Sequence, residues 1–488
     1  MIDNENNRFG SASFASEQDV RKAGMFDQHS NSLLIGFYGH RPVWYSGMGG
    51  LLLVAGARGG KLRDVLAYNI CRGICLSSMV ILDMKGELAV ISQGQELDGK
   101  IPIYWNPCGL HGMPQHRINP VDYIRIDSPS LVSDTKVFCE NKIAVSGSPN
   151  ADYFERRAQE FLEAMTLTLA EKNGTLTLPD LYRVINLIPG GTDEWLNFAY
   201  DMSRSCFPVA MRIEEEIASS RNNPTNGFQG ILGELFKGFA CLSDPQLLSS
   251  VSPPYDFSFS QPCEGDQKYQ AYFMPRAEFV ESWSPVLKDL FVAAMIYKSR
   301  KPQAPQQTWV IDEAAQLNKF PLIVKLYTYG AGIGIRPWAV FQSTKQMKSL
   351  GHEADNIITS SAALRSYFAV RDIETASSVS RMIGAQTLVY EDEHAHARAR
   401  HAKRQAVQAF LSGDDPLSAG LNYAHHAREA ETPHMQHRQL RNPDEVLNTP
   451  ADKQYIFADG LPGVLYGDRK PYYQQRFMKG RYSDNPYY

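Results

Sequence analysis

The chain has 488 residues, 43% hydrophobic, 21% charged and 11% aromatic, with a formal net charge of −4. That length predicts two or three domains rather than one core. The charge excludes a globally basic nucleic-acid binder, and no run approaches the ~18 uninterrupted apolar residues of a bilayer span.

Residues 1–47 read as an irregular lead-in with a short helix in "SEQDVRKAGMF"; the polar start lacks a signal-peptide pattern. "LLLVAGARGGKLRDVLAYNI" (51–70) then begins the ordered core, with a buried strand at Leu51–Val54, a glycine-rich turn, and a helix over Arg63–Cys71. "SSMVILDMKGE" (77–87) is a second apolar strand ending in charges, and strand–helix–strand spacing predicts a parallel α/β sheet. "IPIYWNP" and "HRINPVDYI" give two further short strands, closing a first segment at 48–121.

Residues 122–250 show helical periodicity throughout, with Thr177 capping one helix and Asp180 three residues on, and predict an all-helical insert. From 251 the strands resume in "KYQAYFMP", followed by a helix in "SPVLKDLFVAAMIYKSR". "TWVIDEAAQL" is an apolar strand ending in two acids, and "RPWAVFQST" and "LRSYFAV" follow as strands. Residues 391–440 are an alanine-, histidine- and arginine-rich excursion, read as a loop or an exposed helical arm. Seven scattered cysteines (Cys71, Cys75, Cys108, Cys139, Cys206, Cys241 and Cys263) lack zinc spacing and predict reduced thiols in a cytosolic protein.

The glycine-rich turn has the grammar of a phosphate-binding loop, in which backbone N–H groups and a lysine hold phosphates at a helix N-terminus. The candidate nucleotide-binding residues are Ala55, Gly56, Ala57, Arg58, Gly59, Gly60, Lys61 and Leu62, with Lys61 and the Gly59 and Gly60 amides as the cradle. Two positions depart from G-x-x-x-x-G-K-[ST]: Ala55 replaces the first glycine, and Leu62 replaces the hydroxyl that would face Mg²⁺. Such a loop requires acids on a neighbouring strand, and Asp312 and Glu313 supply them, the first for Mg²⁺ directly or through water and the second to orient attacking water. Gln342, at the tip of a later strand, is placed to sense a γ-phosphate. Arg58 either reaches phosphate or lies in solvent; the residues leave both open.

"HAHARARHAKR" (394–404) holds seven basic or titratable residues and no acid. Arg398, Arg400, Lys403 and Arg404 are candidate contacts to a nucleic-acid backbone, against the plainer reading of a solvated arm. His394, His396 and His401 have metal-ligating chemistry but no carboxylate or cysteine partner nearby.

With these motifs in place, the sequence resembles the TraG/TraD-type coupling proteins of type IV secretion and conjugation, almost end to end. "RFGSASFASEQDVRKAGMF", "VAGARGGK", "MVILDMKGEL", "RINPVD", "WVIDEAAQLNKFP", the block from "GAGIGIRPWAVFQSTKQ" through "SRMIGAQT", and "RNPDEVLNTPADKQYIFADGLP" match that family's segments in order. The resemblance implies a RecA-like α/β nucleotide-binding domain with an inserted all-helical domain, using ATP and Mg²⁺. It implies a homo-hexamer at the cytoplasmic face of the bacterial inner membrane. There, secretion-system components meet a relaxase–DNA complex or effector proteins, whose transfer ATP binding or hydrolysis drives. Three departures stand out: no membrane segment precedes "RFGSASF", so any membrane attachment is expected through a partner; Leu62 cannot bind metal; and "YTYGAGIG" lacks the arginine that would reach a neighbouring subunit's nucleotide. Arg336 and Arg371 are the substitute candidates. These losses support an alternative, a coupling-protein-like adaptor that recruits substrates without hydrolysing ATP; a DNA translocase outside secretion is a third reading.

Overall fold

The computed structural model describes residues 10–222, 226–390, 393–413, 415–431 and 434–487. Its framework is an eleven-stranded sheet. The strands in chain order are β1 (Leu33–Tyr38), β2 (Arg41–Tyr45), β3 (Leu51–Ala55), β4 (Ser78–Leu82), β5 (Ile101–Trp105), β6 (Tyr269–Phe273), β7 (Gln307–Ile311), β8 (Ile335–Phe341), β9 (Leu364–Phe368), β10 (Ala385–Tyr390), β11 (His434–Gln439), β12 (Lys453–Ala458) and β13 (Leu465–Asp468). The spatial order is β2-β1-β13-β12-β9-β3-β8-β7-β4-β6-β5, with β10 and β11 forming a separate ribbon. The seven strands from β9 to β5 are parallel, and β12, β13, β1 and β2 extend the sheet antiparallel.

Every residue of β3, β4, β7 and β8 is buried. Continuous apolar runs such as "LLLVA" and "SMVIL" are what a parallel sheet covered on both faces requires. Alternate residues feed two cores: Leu52 and Val54 join Val80, Leu82 and Ile311 on one face. Leu51, Leu53 and Ala55 join Met79, Ile81 and Val340 on the other.

Three local expectations are corrected. The lead-in is not irregular after its short helix Glu17–Lys22, because "LLIGFY" and "RPVWY" become β1 and β2. Pro42 is tolerated because β2 is the sheet's outermost strand, where a missing N–H breaks no ladder. The segment "HRINPVDYI" is not a strand: Ile118 makes one isolated bridge to Phe257. There the Asn119 side chain takes the backbone's place, donating to the Leu176 carbonyl at 2.8 Å and accepting from Val121 N at 3.2 Å. The helix expected over Arg63–Cys71 opens with a π-helical stretch, Leu62–Leu66, before an α-turn over Ala67–Ile70.

Among the described residues, seven α-helices, Leu131–Lys142, Pro149–Asn173, Leu178–Leu187, Asp193–Ser203, Pro208–Asn222, Asn226–Phe239 and Pro245–Ser250, lie in sequence between β5 and β6. The 25-residue helix Pro149–Asn173 is their hub, packed against the helices at 131–142, 178–187, 193–203, 208–222 and 226–239. The Thr177 hydroxyl accepts from Asp180 N, capping Leu178–Leu187. Their apolar interior is continuous with one face of the sheet, joined through the helix Val280–Arg300. Ion pairs cross that seam, among them Lys142–Asp289 at 2.5 Å and Arg300–Asp134 at 2.5 Å.

The excursion at 391–440 is a helical arm: Glu393–Ser412 and Pro416–Glu431 pack on each other above the β10–β11 ribbon. All seven cysteines are free thiols. Among the described residues no helix is long and apolar enough to cross a membrane, and no group of three His, Cys, Asp or Glu side chains is arranged to hold a metal.

Candidate nucleotide site

The sheet order brings the chemistry together. β8 lies between β3 and β7, so the glycine-rich loop after β3, Gln342 after β8, and Asp312–Glu313 after β7 leave one carboxyl edge on three adjacent strands. Ligands of open α/β sheets bind at that edge.

Sterics account for two of the loop's glycines. Gly56 N donates to the Ala369 carbonyl at 3.2 Å, and a Cβ on Gly56 would sit 2.3 Å from that oxygen. Gly59 N donates to the Gly56 carbonyl at 2.9 Å, and a Cβ on Gly59 would sit 2.7 Å from it, so the Gly59 amide is engaged within the loop and, contrary to expectation, does not join the cradle. Gly60 has φ 86°, where a side chain is disfavoured. Ala55, the residue that departs from the motif, is fully buried as the last residue of β3, so its methyl packs into the core instead of crowding the loop.

The Lys61 ammonium bridges both acids, 2.7 Å from Asp312 Oδ1 and 3.1 Å from Glu313 Oε1. Burial pulls its pKa down, but the two carboxylates outweigh it and hold the group above the usual lysine value. Burial raises the Asp312 carboxyl against the pull of Lys61. Glu313 has φ 52° and ψ 47°, a left-handed conformation that stores strain for a non-glycine residue. Gln342 is half-buried, and its N–H donates to Gln346 Oε1 at 2.8 Å.

The remaining candidates separate. Leu62 is partly buried and packs against the apolar core beside β3. Arg58 is exposed, with φ 56°. Arg336 is the second residue of β8, at the edge opposite the loop, and is fully buried; it donates to Thr308 Oγ1 (2.9 Å), the Asn31 carbonyl (2.7 Å) and the Gly47 carbonyl (3.0 Å). A side chain so enclosed cannot reach a neighbouring subunit, which removes Arg336 from the candidates for that role. Arg371 is exposed and lies beside its own chain's loop, its Cγ and Cδ 3.3 Å from where a Gly56 Cβ would be. Arg398, Arg400, Lys403 and Arg404 are exposed on the arm, away from the large sheet's strands.

Two features escaped sequence reasoning. Asp83, at the end of β4, is 3% exposed and accepts from Glu87 N (3.1 Å) and Ala89 N (2.9 Å). Burial, reinforced by the charges of Asp312 and Glu87, pushes its carboxyl up to about 7. Its place in "LDMKGE" was a usable signal, because an acid ending a strand adjacent to β7 faces the same edge. The second, Arg469 against the loop, joins residues 405 apart and leaves no local pattern.

The residues fit a nucleotide: a glycine-shaped turn, a lysine and an acid pair at one edge. They fit Mg²⁺ through carboxylates only, since Leu62 offers no oxygen. Comparison with known proteins bears on the family and the fold. The profile described as Type IV secretory system Conjugative DNA transfer matches residues 5–411. A conjugal transfer protein TraG of Escherichia coli is 22% identical over 97% of this chain and 77% of its own length. A probable conjugal transfer protein TraG of Sinorhizobium fredii is 22% identical over 59% of this chain and 40% of its own. Among solved structures, the unbound conjugative coupling protein TrwBdeltaN70 superposes with TM-score 0.63 and 14% identity, covering 96% of this chain and 95% of that one. TrwB in complex with ADP and Mg²⁺ superposes with TM-score 0.63 and 16% identity, covering 96% of each. This chain thus has the RecA-like P-loop fold of a coupling protein, and it belongs to the type IV secretory system conjugative DNA transfer family.

Proposed function

We propose that this protein is a coupling protein that brings a relaxase–DNA complex or an effector protein to a type IV secretion channel and uses ATP binding or hydrolysis to drive its transfer. It works on the cytoplasmic face of the bacterial inner membrane, against the channel's components, and its active form is a homo-hexamer. The all-helical insert at 122–250 serves as the substrate-facing part of the molecule, and the arm's Arg398, Arg400, Lys403 and Arg404 contact nucleic acid. The observation that carries the reading is Lys61 held by Asp312 and Glu313 at the mouth of the glycine-rich loop.

The chemistry follows from that triad. An incoming phosphate competes with the two carboxylates for the Lys61 ammonium. Once Lys61 turns to the phosphate, with the Gly60 amide beside it, Glu313 is released to orient water and Gln342 lies one strand away to register the terminal phosphate. Mg²⁺, when bound, neutralises phosphate charge, and Asp312 is the residue to hold it. A charge-assisted hydrogen bond from lysine contributes about 1.5–3 kcal/mol, so Lys61→Ala weakens nucleotide binding roughly tenfold to a hundredfold.

The test is calorimetric titration with ADP and a non-hydrolysable ATP analogue, together with steady-state ATPase assays, on wild type, Lys61→Ala and Glu313→Gln, with and without DNA. Wild-type turnover lost in Glu313→Gln supports the motor. Wild-type binding with no turnover above Glu313→Gln selects the adaptor, the reading that the apolar packing of Leu62 favours. Unchanged affinity in Lys61→Ala makes the loop purely structural.

A further inference from the structure

Arg469 is the first residue after β13, near the end of the chain, yet its side chain lies under the glycine-rich loop and is 2% exposed. Nη1 donates to the Gly59 carbonyl at 2.6 Å and to Asp64 Oδ2 at 3.0 Å. Nε donates to the Lys453 carbonyl at 3.2 Å, and Nη2 donates to the Ala451 carbonyl. The guanidinium carbon stacks 4.0 Å from the centroid of Phe368, the last residue of β9. Phe368 leads into Ala369, whose carbonyl anchors Gly56. One side chain thus touches the loop, the first turn after it, and the strand end behind it.

Asp64 explains why a cation is needed there. Its carboxylate is 1% exposed, and Oδ2 lies 2.7 Å from where a Gly60 Cβ would be. A buried negative charge that close to a phosphate cradle repels the ligand unless it is compensated. Arg63 supplies part of the compensation from the surface, at 2.6 Å and 3.0 Å, with a side chain 39% exposed; Arg469 supplies the buried part. Burial lowers the Arg469 guanidinium to about 10, against the pull of Asp64, so it is cationic at neutral pH.

We infer that Arg469 is a positioning residue for the phosphate loop: it fixes the Gly59 carbonyl, and with it the Gly60 amide of the same peptide plane, which points the opposite way, and it cancels the Asp64 charge beneath. The inference rests on the nucleotide-site reading above and extends it by making the chain's C-terminal hairpin, β12–β13, part of the ligand site.

The test is calorimetric titration with Mg²⁺ and ADP of wild type, Arg469→Gln, Arg469→Lys, Asp64→Asn and the Asp64→Asn/Arg469→Gln double variant, each checked by thermal melting so that only folded protein is compared. Arg469→Gln is expected to bind ADP about tenfold more weakly or worse, and the added Asp64→Asn to recover most of that loss, since the two residues form one coupled unit. Arg469→Lys keeps the charge but cannot span Gly59, Asp64 and the Ala451 and Lys453 carbonyls, and is expected to stay weakened. A purely structural arginine would lower the melting temperature and leave the affinity of folded protein unchanged; wild-type affinity in folded Arg469→Gln overturns the inference. If Arg469→Gln does not fold, Asp64→Asn is compared with the double variant. Weaker binding by the double variant supports the Gly59 anchor, and equal binding overturns it. Wild type that fails to bind ADP overturns the nucleotide-site reading and the clamp's role with it, a result distinct from either of these.

Discussion

Replacing Lys142 by methionine strikes the seam between the inserted helices and the sheet. Lys142 ends the helix Leu131–Lys142, and Asp289 lies within Val280–Arg300; their charged groups meet at 2.5 Å, with side chains 1% and 4% exposed. Phe138 and Phe239 flank the ammonium, 6.0 Å and 5.1 Å from ring centroid to Nζ. Methionine keeps the aliphatic stem against those rings and removes only the charge. Asp289 is then a buried carboxylate without its partner, and breaking such a pair from one side costs about 3–5 kcal/mol. Burial already raises the Asp289 carboxyl, and Lys142 works against that rise, so the loss is expected to shrink at acid pH, where the carboxyl takes up a proton. Urea unfolding followed by tryptophan fluorescence reads the effect, with Trp195 reporting from within the insert. The double variant Lys142→Met/Asp289→Leu, which leaves no charge behind, is expected within about 1 kcal/mol of wild type or above it. A single-variant loss under about 1 kcal/mol, or a double variant as unstable as Lys142→Met, would refute this account of the Lys142–Asp289 pair.

Asp83, pushed up to about 7 from an ordinary 3.8, gives a pH dependence of definite sign. A raised folded-state value favours the neutral form, so its contribution is full below 3.8 and is lost as pH rises through about 7, at about 1.4 kcal/mol per pH unit in between. The melting temperature of Asp83→Asn relative to wild type should therefore rise between pH 5 and pH 8; a flat difference rules the idea out. Leu62→Thr exchanges apolar packing for a hydroxyl at the loop, and should make ADP affinity more dependent on Mg²⁺ at a stability cost of about 1–2 kcal/mol; calorimetry with and without Mg²⁺ decides. Neutralising Arg398, Arg400, Lys403 and Arg404 together should reduce the salt slope of single-stranded DNA binding by about three, at roughly 0.7 per phosphate contact. An unchanged slope in a fluorescence titration would return the arm to the solvated reading.

The α/β class was legible in the sequence, and the glycine-rich turn and the acids after β7 were legible as a candidate site, because all are written in short-range patterns. "LLLVAGARGGK" and "WVIDE" each place an apolar strand directly before polar residues, so the chain's local grammar specifies both partners of the Lys61–Asp312–Glu313 cluster. The helical stretch from 122 to 250 and the capping role of Thr177 were legible for the same reason, since helical periodicity and caps are local. What sequence left open or misassigned depends on which strands become neighbours. Arg336 reads as an available cation and is instead sealed at the far edge of the sheet, because β8 lies between β3 and β7 and buries both of its faces. Leu62 reads as a lost metal ligand, and only packing shows that it joins a core. The lead-in becomes two strands only because β13 offers β1 an edge to pair with, an edge supplied more than four hundred residues later. Arg469 and Asp64 meet for the same reason: burial of two opposite charges is favourable only as a pair, and only the folded sheet brings the two ends of the chain close enough to form it.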